Sequence, residues 1–305
     1  MTLVICICTY NRNHSLERCL KSINKLNVIA NIKIRIVIVD NSFSCNSYKL
    51  LKKYKIKSKY KITLLHEKRR GIVNARNKYL KALKKINPKF VCFLDDDCII
   101  DSSWLKNVFK LLKSTNAEII TGPQIPLKRK SLYKSNFISY SNFFEKKYEK
   151  DVERVKWAAS NNVFLLYKII KKHNLIFDKT LNKFGIGEDQ LFFTILNKYG
   201  HKIYWSKNVK VYEIIHDHRQ SLNWLTRRSF RLGILGYYID KKLHGAIAGF
   251  IINYLKSIYY FVKSICCLFL FFNTKFKIQI FNFFYRFIGR LVGPIFLKRI
   301  DFFRK

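Results

Sequence analysis

The chain has 305 residues, 49% of them hydrophobic and 16% aromatic, which supplies a sizeable core and excludes bulk disorder. Lysine and arginine number 59 against 19 acids, and the formal charge of +40 must attract polyanions such as nucleic acid, anionic headgroups or phosphorylated substrates. Eight cysteines include no CxxC pair, and several lie inside apolar runs, where a free thiol behaves as a small hydrophobe in a reducing cytoplasm.

Leu3–Cys8 reads as a strand with no basic segment before it, so no secretory leader is expected. In chain order the spacing then predicts a helix over His14–Leu26, a strand over Lys33–Val39 and a helix over Asn46–Tyr54. A strand over Lys61–His66, a helix over Val73–Ile86 and a strand over Phe90–Leu94 follow. This alternation implies an α/β fold with a mostly parallel sheet and helices on both faces, whose ligands gather at the carboxyl ends of the strands. Three strands run directly into polar residues there: Thr9-Tyr-Asn-Arg12, Asp40-Asn-Ser42 and Asp95-Asp-Asp97. From about Thr121 to Arg231 the pattern is less regular, with Gly122-Pro123, Ala158-Ala-Ser-Asn-Asn162 and Gly185-Ile-Gly-Glu-Asp189 ahead of the helical Gln190–Lys198. Gly245–Phe272 is apolar and interrupted only by Lys256 and Lys263; Phe276–Leu297 is apolar with Lys277, Arg286 and Arg290 interspersed.

Three adjacent carboxylates at a strand end repel one another unless a cation is present, and a hard divalent ion that bridges two phosphates would supply it. A solvated turn is the competing reading of Asp95–Asp97. Asp40 serves either as a turn-former or as a carboxylate facing a base or ribose. Arg76, in the first turns of a helix after Gly71, suits phosphate oxygens or a plain basic surface. Glu188 and Asp189 open a helix after Gly185-Ile-Gly187, where they complement the helix dipole or supply a base for an acceptor hydroxyl. The tail suits interfacial helices on an anionic leaflet; the alternatives are a buried helix pair and one spanning helix within Gly245–Phe272, whose clean run Lys256 and Lys263 break.

The ordered set Val4-Ile-Cys-Ile-Cys-Thr-Tyr-Asn-Arg12, Val37-Ile-Val-Asp-Asn-Ser42, Gly71-Ile-Val-Asn-Ala-Arg-Asn77, Phe93-Leu-Asp-Asp-Asp97 and Gly187-Glu-Asp-Gln190 resembles family 2 glycosyltransferases of the GT-A fold. Trp104-Leu105, Asn161-Asn162 and Trp224-Leu-Thr-Arg-Arg-Ser-Phe-Arg231 also resemble the bacterial exopolysaccharide and succinoglycan subgroup. The resemblance implies a glycosyltransferase domain over 1–235, with a nucleotide-binding half at 1–115 and an acceptor half at 116–235. A basic, apolar, membrane-associating helical tail occupies 236–305. It implies nucleotide-sugar contacts from Thr9, Tyr10, Asp40, Arg76, Asp95 and Asp96, and Mn²⁺ or Mg²⁺ held by Asp97 and Asp95. Asp189 becomes the catalytic base of an inverting transfer, with Asn162 and Glu188 near sugar or acceptor. His216 and His218 match no firm metal motif. The Gln-x-x-Arg-Trp of processive synthases is absent, which favours addition of a single sugar. The expected partners are a nucleotide-diphosphate sugar, a glycan acceptor with a lipid-linked one as hypothesis, and the anionic cytoplasmic face of the inner membrane, with no nucleic acid. A nucleotidyltransferase with a similar metal site and a polyanion-binding protein are the competing functions; the first lacks its Gly-rich loop at Thr9–Arg12, and the second leaves the acidic strand ends unexplained.

Overall fold

The computed structural model describes residues 1–55, 58–127, 137, 140, 141, 143 and 150–297. Asp301, the one acid after Asp240, lies outside them. The chain forms two compact units, Met1–Ile125 with Lys147–Ile214, and Pro126–Lys146 with Ile215–Lys305.

In the first unit β1 (Thr2–Thr9), α1 (Asn13–Ile23), β2 (Lys33–Asp40), α2 (Tyr48–Lys55), β3 (Lys61–His66), α3 (Ile72–Ile86) and β4 (Phe90–Asp95) follow in the expected order. Next come β5 (Cys98–Ile100), α4 (Trp104–Ser114), β6 (Ile119–Thr121) and β7 (Gln124–Leu127), then β8 (Val152–Val155), β9 (Asn162–Leu166) and α5 (Tyr167–Lys172). A 3₁₀ turn (Lys179–Lys183), α6 (Glu188–Lys198), β10 (Ile203–Ser206) and β11 (Val211–Ile214) complete it. Among the described residues the main sheet has the strand order β3-β2-β1-β4-β9-β6-β10-β8, and a smaller one has the order β5-β11-β7. β1 runs parallel to both β2 and β4, and β2 parallel to β3, while β9 is antiparallel to β4.

The sequence dictates this layering. Leu3 to Cys6 are all buried, because a central strand covered on both faces carries a continuous apolar run rather than an alternating one. Helix α1 buries Leu16, Cys19, Leu20 and Ile23, one stripe at helical spacing, into the core formed with β1, β2 and α4. On the other face Tyr79 of α3 stacks on Phe93 of β4, with ring centroids 5.0 Å apart, and Phe177 and Phe192 stack at 4.3 Å beside them. That aromatic layer seats α3 and α6 against the sheet.

The second unit contains α7 (Leu222–His244), α8 (Ala246–Leu268) and α9 (Thr274–Phe296), all mutually packed. The division expected at 235/236 falls inside α7. That helix runs unbroken to Gly245 and belongs with the tail, because Gly233 and Gly289 bring its backbone against that of α9. Among the described residues no helix is long and apolar enough to cross a membrane.

Candidate active site

Parallel pairing aligns Thr9 with Asp40 and Cys8 with Asp95, so the carboxyl ends of β1, β2 and β4 meet at one edge. Asn162 pairs with Leu94 at the start of the antiparallel β9 and joins the same edge.

The acids there are not free of one another. The Thr9 hydroxyl donates to Asp96 Oδ2 at 2.7 Å, and Arg12 Nη1 donates to Asp96 Oδ1 at 3.3 Å and Asp97 Oδ2 at 3.0 Å. Burial, followed by the neighbouring Asp97, pushes Asp96 up to about 7 in spite of Arg12 and Thr9. Burial also lifts Asp95 to about 6, with Arg76 opposing and Asp97 and Asp189 reinforcing it. The Asp95 side chain is 40% exposed, and Tyr10 is 43% exposed with Arg70 over its ring.

Arg76 is buried, and its guanidinium reaches Glu188 through Nη1 and Asp95 through Nη2, the latter at 3.4 Å. Burial raises Glu188 to about 7 against the pull of Arg76, and its Oε2 is buried with no hydrogen-bond partner. Burial works against the charge on Arg76 too, but Glu188, Tyr79, Asp95 and Asp189 together prevail, so the guanidinium holds its proton more firmly than usual. Asp189, one residue on, is half-buried; Oδ1 accepts from the Gln190 amide at 2.7 Å and Oδ2 from the Ser160 amide at 3.3 Å.

Four of the expected site residues are tied to other groups of the protein. Asp40 is 1% exposed, and its carboxylate accepts from the amide and hydroxyl of Ser42 and of Ser47, at 2.6–2.8 Å. Burial pushes its proton affinity up, but these four donors prevail and hold it below the usual carboxylate range. These bonds fix the loop after β2 at the carboxyl edge of the sheet. Asn162 is 1% exposed; its carbonyl accepts from Trp104 Nε1 at 2.8 Å and its amide donates to Val209 O and Pro123 O. With both amide hydrogens occupied, it ties the start of α4 to the segments at Pro123 and Val209. Arg76 points inward between Asp95 and Glu188 and is their internal counter-ion. His216 and His218 belong to the second unit, where their rings stack 5.8 Å apart.

Other residues emerge only from the fold. Arg12 is the counter-ion of the acidic triplet. Asn41 accepts from the Gly71 amide at 2.8 Å and donates to Glu67 O and Arg69 O, which fixes the turn into α3. Asn77 exchanges two bonds with the Phe177 backbone, both at 2.9 Å, and Asn182 accepts from Val73 N while donating to Arg70 O. These two asparagines anchor the segment leading to Glu188 onto α3. Gly71 is required here: its φ is +128°, and a Cβ would strike the Asn182 amide. Arg12 and Asn77 stand inside the quoted motifs, a usable signal; Asn182 carries none.

No group of three or more His, Cys, Asp or Glu among the described residues converges on a single metal point. The donor set nevertheless fits a hard cation completed by phosphate oxygens: the Asp95 side chain reaches solvent, and Asp96 and Asp97 follow it directly at the end of β4.

Residues 4–168, more than half of the chain, match the model of glycosyl transferase family 2. The succinoglycan biosynthesis protein ExoM of Rhizobium meliloti (strain 1021) is 27% identical over 244 residues, 78% of this chain and 75% of that protein. The fold is similar to that of the mannosyltransferase PcManGT of Pyrobaculum calidifontis in complex with GDP-Man and Mn²⁺. The TM-score is 0.61 at 16% identity, over 96% of this chain and 86% of that one. It is also similar to S. aureus TarS 1-349 in complex with UDP-GlcNAc, with TM-score 0.57 at 17% identity, over 99% of this chain and 88% of that one. In a longer TarS chain, 18% identical with TM-score 0.53, the likeness covers 80% of this chain but spans 42% of TarS. A GT-A sheet with acids gathered at its carboxyl edge, and a family match from β1 through α5, make this chain a glycosyltransferase of family 2.

Proposed function

We propose that the chain transfers one sugar, with inversion and with the help of a divalent metal, from a nucleotide-diphosphate sugar to an acceptor hydroxyl during synthesis of a cell-surface polysaccharide. The observation that carries this reading is the Arg76 bridge, in which one buried guanidinium holds both Asp95 at the end of β4 and Glu188 beside Asp189. Asp189 directly follows Glu188, which supports reading the donor-side acids and the base as one site.

In this mechanism Tyr10, exposed at the end of β1, lies against the nucleotide, and Thr9 holds Asp96 in place. Asp95 and Asp97 are the residues that would hold Mn²⁺ or Mg²⁺, which when bound supplies positive charge to the departing diphosphate. Asp189, steadied by the Ser160 amide, takes the acceptor proton as the hydroxyl oxygen bonds to the anomeric carbon. The bond from that carbon to the diphosphate breaks with its electron pair on the nucleotide, and the configuration inverts. The ExoM likeness supports a polysaccharide pathway, and the neighbours holding GDP-Man, UDP-GlcNAc and Mn²⁺ support a nucleotide-sugar donor and a metal. The basic, apolar tail supports work at the cytoplasmic face of the inner membrane, on a lipid-linked acceptor.

The purified full chain is screened against nucleotide-diphosphate sugars with Mn²⁺ or Mg²⁺ and a lipid-linked glycan acceptor, read as nucleoside diphosphate release. One donor is expected to give metal-dependent release. Asp97→Asn should weaken Mn²⁺-dependent donor binding in calorimetry and remove most turnover. No release with any donor overturns the reaction, and unchanged Mn²⁺ dependence in Asp97→Asn overturns the metal assignment.

A further inference from the structure

Helices α8 and α9 are inside-out relative to a water-soluble bundle. Along α8 the buried positions are Gly249, Asn253, Ser257, Ser264 and Cys267, while Ile247, Phe250, Leu255, Phe261, Val262 and Leu268 are exposed. Along α9 Gln279, Asn282, Gly289, Arg290 and Gly293 are buried with Ile278, while Phe281, Phe284, Leu291 and Ile295 are exposed. An amphipathic helix in water turns its apolar stripe inward. Here the inward seam is polar and small.

Hydrogen bonds run along that seam. Arg290 donates to Asp240 and to Asn253, each at 2.8 Å, and Asn253 returns a bond to Arg290 O at 3.1 Å. Ser257 and Ser264 donate to the Phe287 and Ile280 carbonyls of α9, and Ser229 donates to Asn282 at 3.0 Å. Gly289 lies against Phe230 O and Gly233 Cα, so the backbones of α7 and α9 touch. Small residues at crossings and hydrogen-bonding side chains as glue are how helices associate where the surroundings are as apolar as their own surfaces.

We propose that the outer faces of α8 and α9, with the Phe269–Phe272 turn that joins them, form a surface that docks in one leaflet of a lipid bilayer; this deepens the membrane-face reading above and rests on it. Phe269 and Phe272 are 80% and 97% exposed, and they enter the acyl region first. Lys263, Lys275 and Lys277 flank the turn, with Lys263 over Tyr259 and Lys277 over Phe271, amphipathic pairs suited to the headgroup level. Lipid fits better than a second copy of the chain. Residues 246–297 contain lysines and arginines and no acid, so a symmetric self-contact would bring like charges together, whereas anionic headgroups complement them.

Flotation of the full chain with vesicles of phosphatidylcholine and phosphatidylglycerol tests the surface without reference to sugar transfer, which is followed separately by nucleotide release. The wild type should float, and the double variant Phe269→Ser, Phe272→Ser should lower the floated fraction about tenfold. In a second arm, an added Trp in Phe261→Trp should be quenched by phosphatidylcholine brominated on its acyl chains, and one in Lys110→Trp on α4 should not. An unchanged floated fraction in the double variant, or an unquenched Trp at 261, overturns the proposal. So does a lipid-free dimer in which that Trp is shielded from aqueous quencher. Flotation without nucleotide release would leave the docking surface standing and overturn the transferase reading alone.

Discussion

Glu188 and Asp189 are neighbours with opposite surroundings. Glu188 faces inward to Arg76 and is buried, whereas Asp189 is half-buried and accepts from the Gln190 and Ser160 amides. Asp189→Asn keeps the shape and the helix start but removes the proton acceptor. Donor and metal binding should remain near normal in calorimetry, while single-turnover transfer falls by about 10²–10⁴-fold. Near-normal transfer would leave Asp189 only a capping role. A second residue-scale prediction concerns His173 and His201, whose Nε2 atoms lie 2.9 Å apart, with Glu118 2.5 Å from His201 Nδ1 and Tyr199 stacked on His173. Burial, then His201 and Lys172, lowers the proton affinity of His173. The unfolded ring therefore binds a proton, near pH 6.5, that the folded ring refuses. Its stabilising contribution is present above that pH and is lost as the pH falls. Urea midpoints should drop between pH 7 and pH 5, and His173→Asn should flatten the drop. An equally steep drop in the variant would place its origin elsewhere.

At the scale of elements, the asparagine contacts on α3 decide how the base segment is placed. Asn77 satisfies both backbone groups of Phe177, and Asn182 caps the start of α3 from the 3₁₀ turn before α6. Removing the Asn77 amide leaves two buried backbone groups without partners, at a cost of about 1–3 kcal/mol. Asn77→Ala should accordingly lower the unfolding midpoint and reduce kcat about tenfold with donor affinity little changed. Asn77→Asp, which retains an acceptor for Phe177 N–H, should recover part of both. A kcat loss without recovery in Asn77→Asp, at equal stability, would argue that the amide acts on substrate directly. The strands and helices were legible beforehand because their apolar spacing is regular: β3 spans Lys61–His66 as read, and α3 begins one residue early, at Ile72. The site was less legible. Asp40 and Asn162 are residue types that suit either a ligand or a turn, and only their neighbours, Ser42, Ser47, Trp104 and Val209, settle which polar atoms are already occupied.

Across the whole molecule, the formal +40 acts together with the apolar surface of the tail. Attraction to anionic lipid is screened by salt, the Debye length shrinking from about 10 Å at 0.1 M to about 3 Å at 1 M, whereas apolar insertion is not. Cosedimentation with phosphatidylglycerol vesicles should weaken at least tenfold over that range, while the weaker binding to neutral vesicles changes little. Salt-insensitive binding to anionic vesicles would mean that the lysines do not meet headgroups. The sequence alone determined the alternating α/β order, the polar ends of β1, β2 and β4, and the family likeness. Hydrophobic period and strand-end chemistry are local properties, carried within a few consecutive residues. Only the tertiary structure decided that Arg76 turns inward, that Arg12 neutralises Asp96 and Asp97, and that α7 belongs with the tail. It also decided that Asn253 meets Arg290 and Asn282 meets Ser229 while phenylalanines face out. Each of these depends on which distant groups become neighbours, and on whether a buried charge finds its partner there.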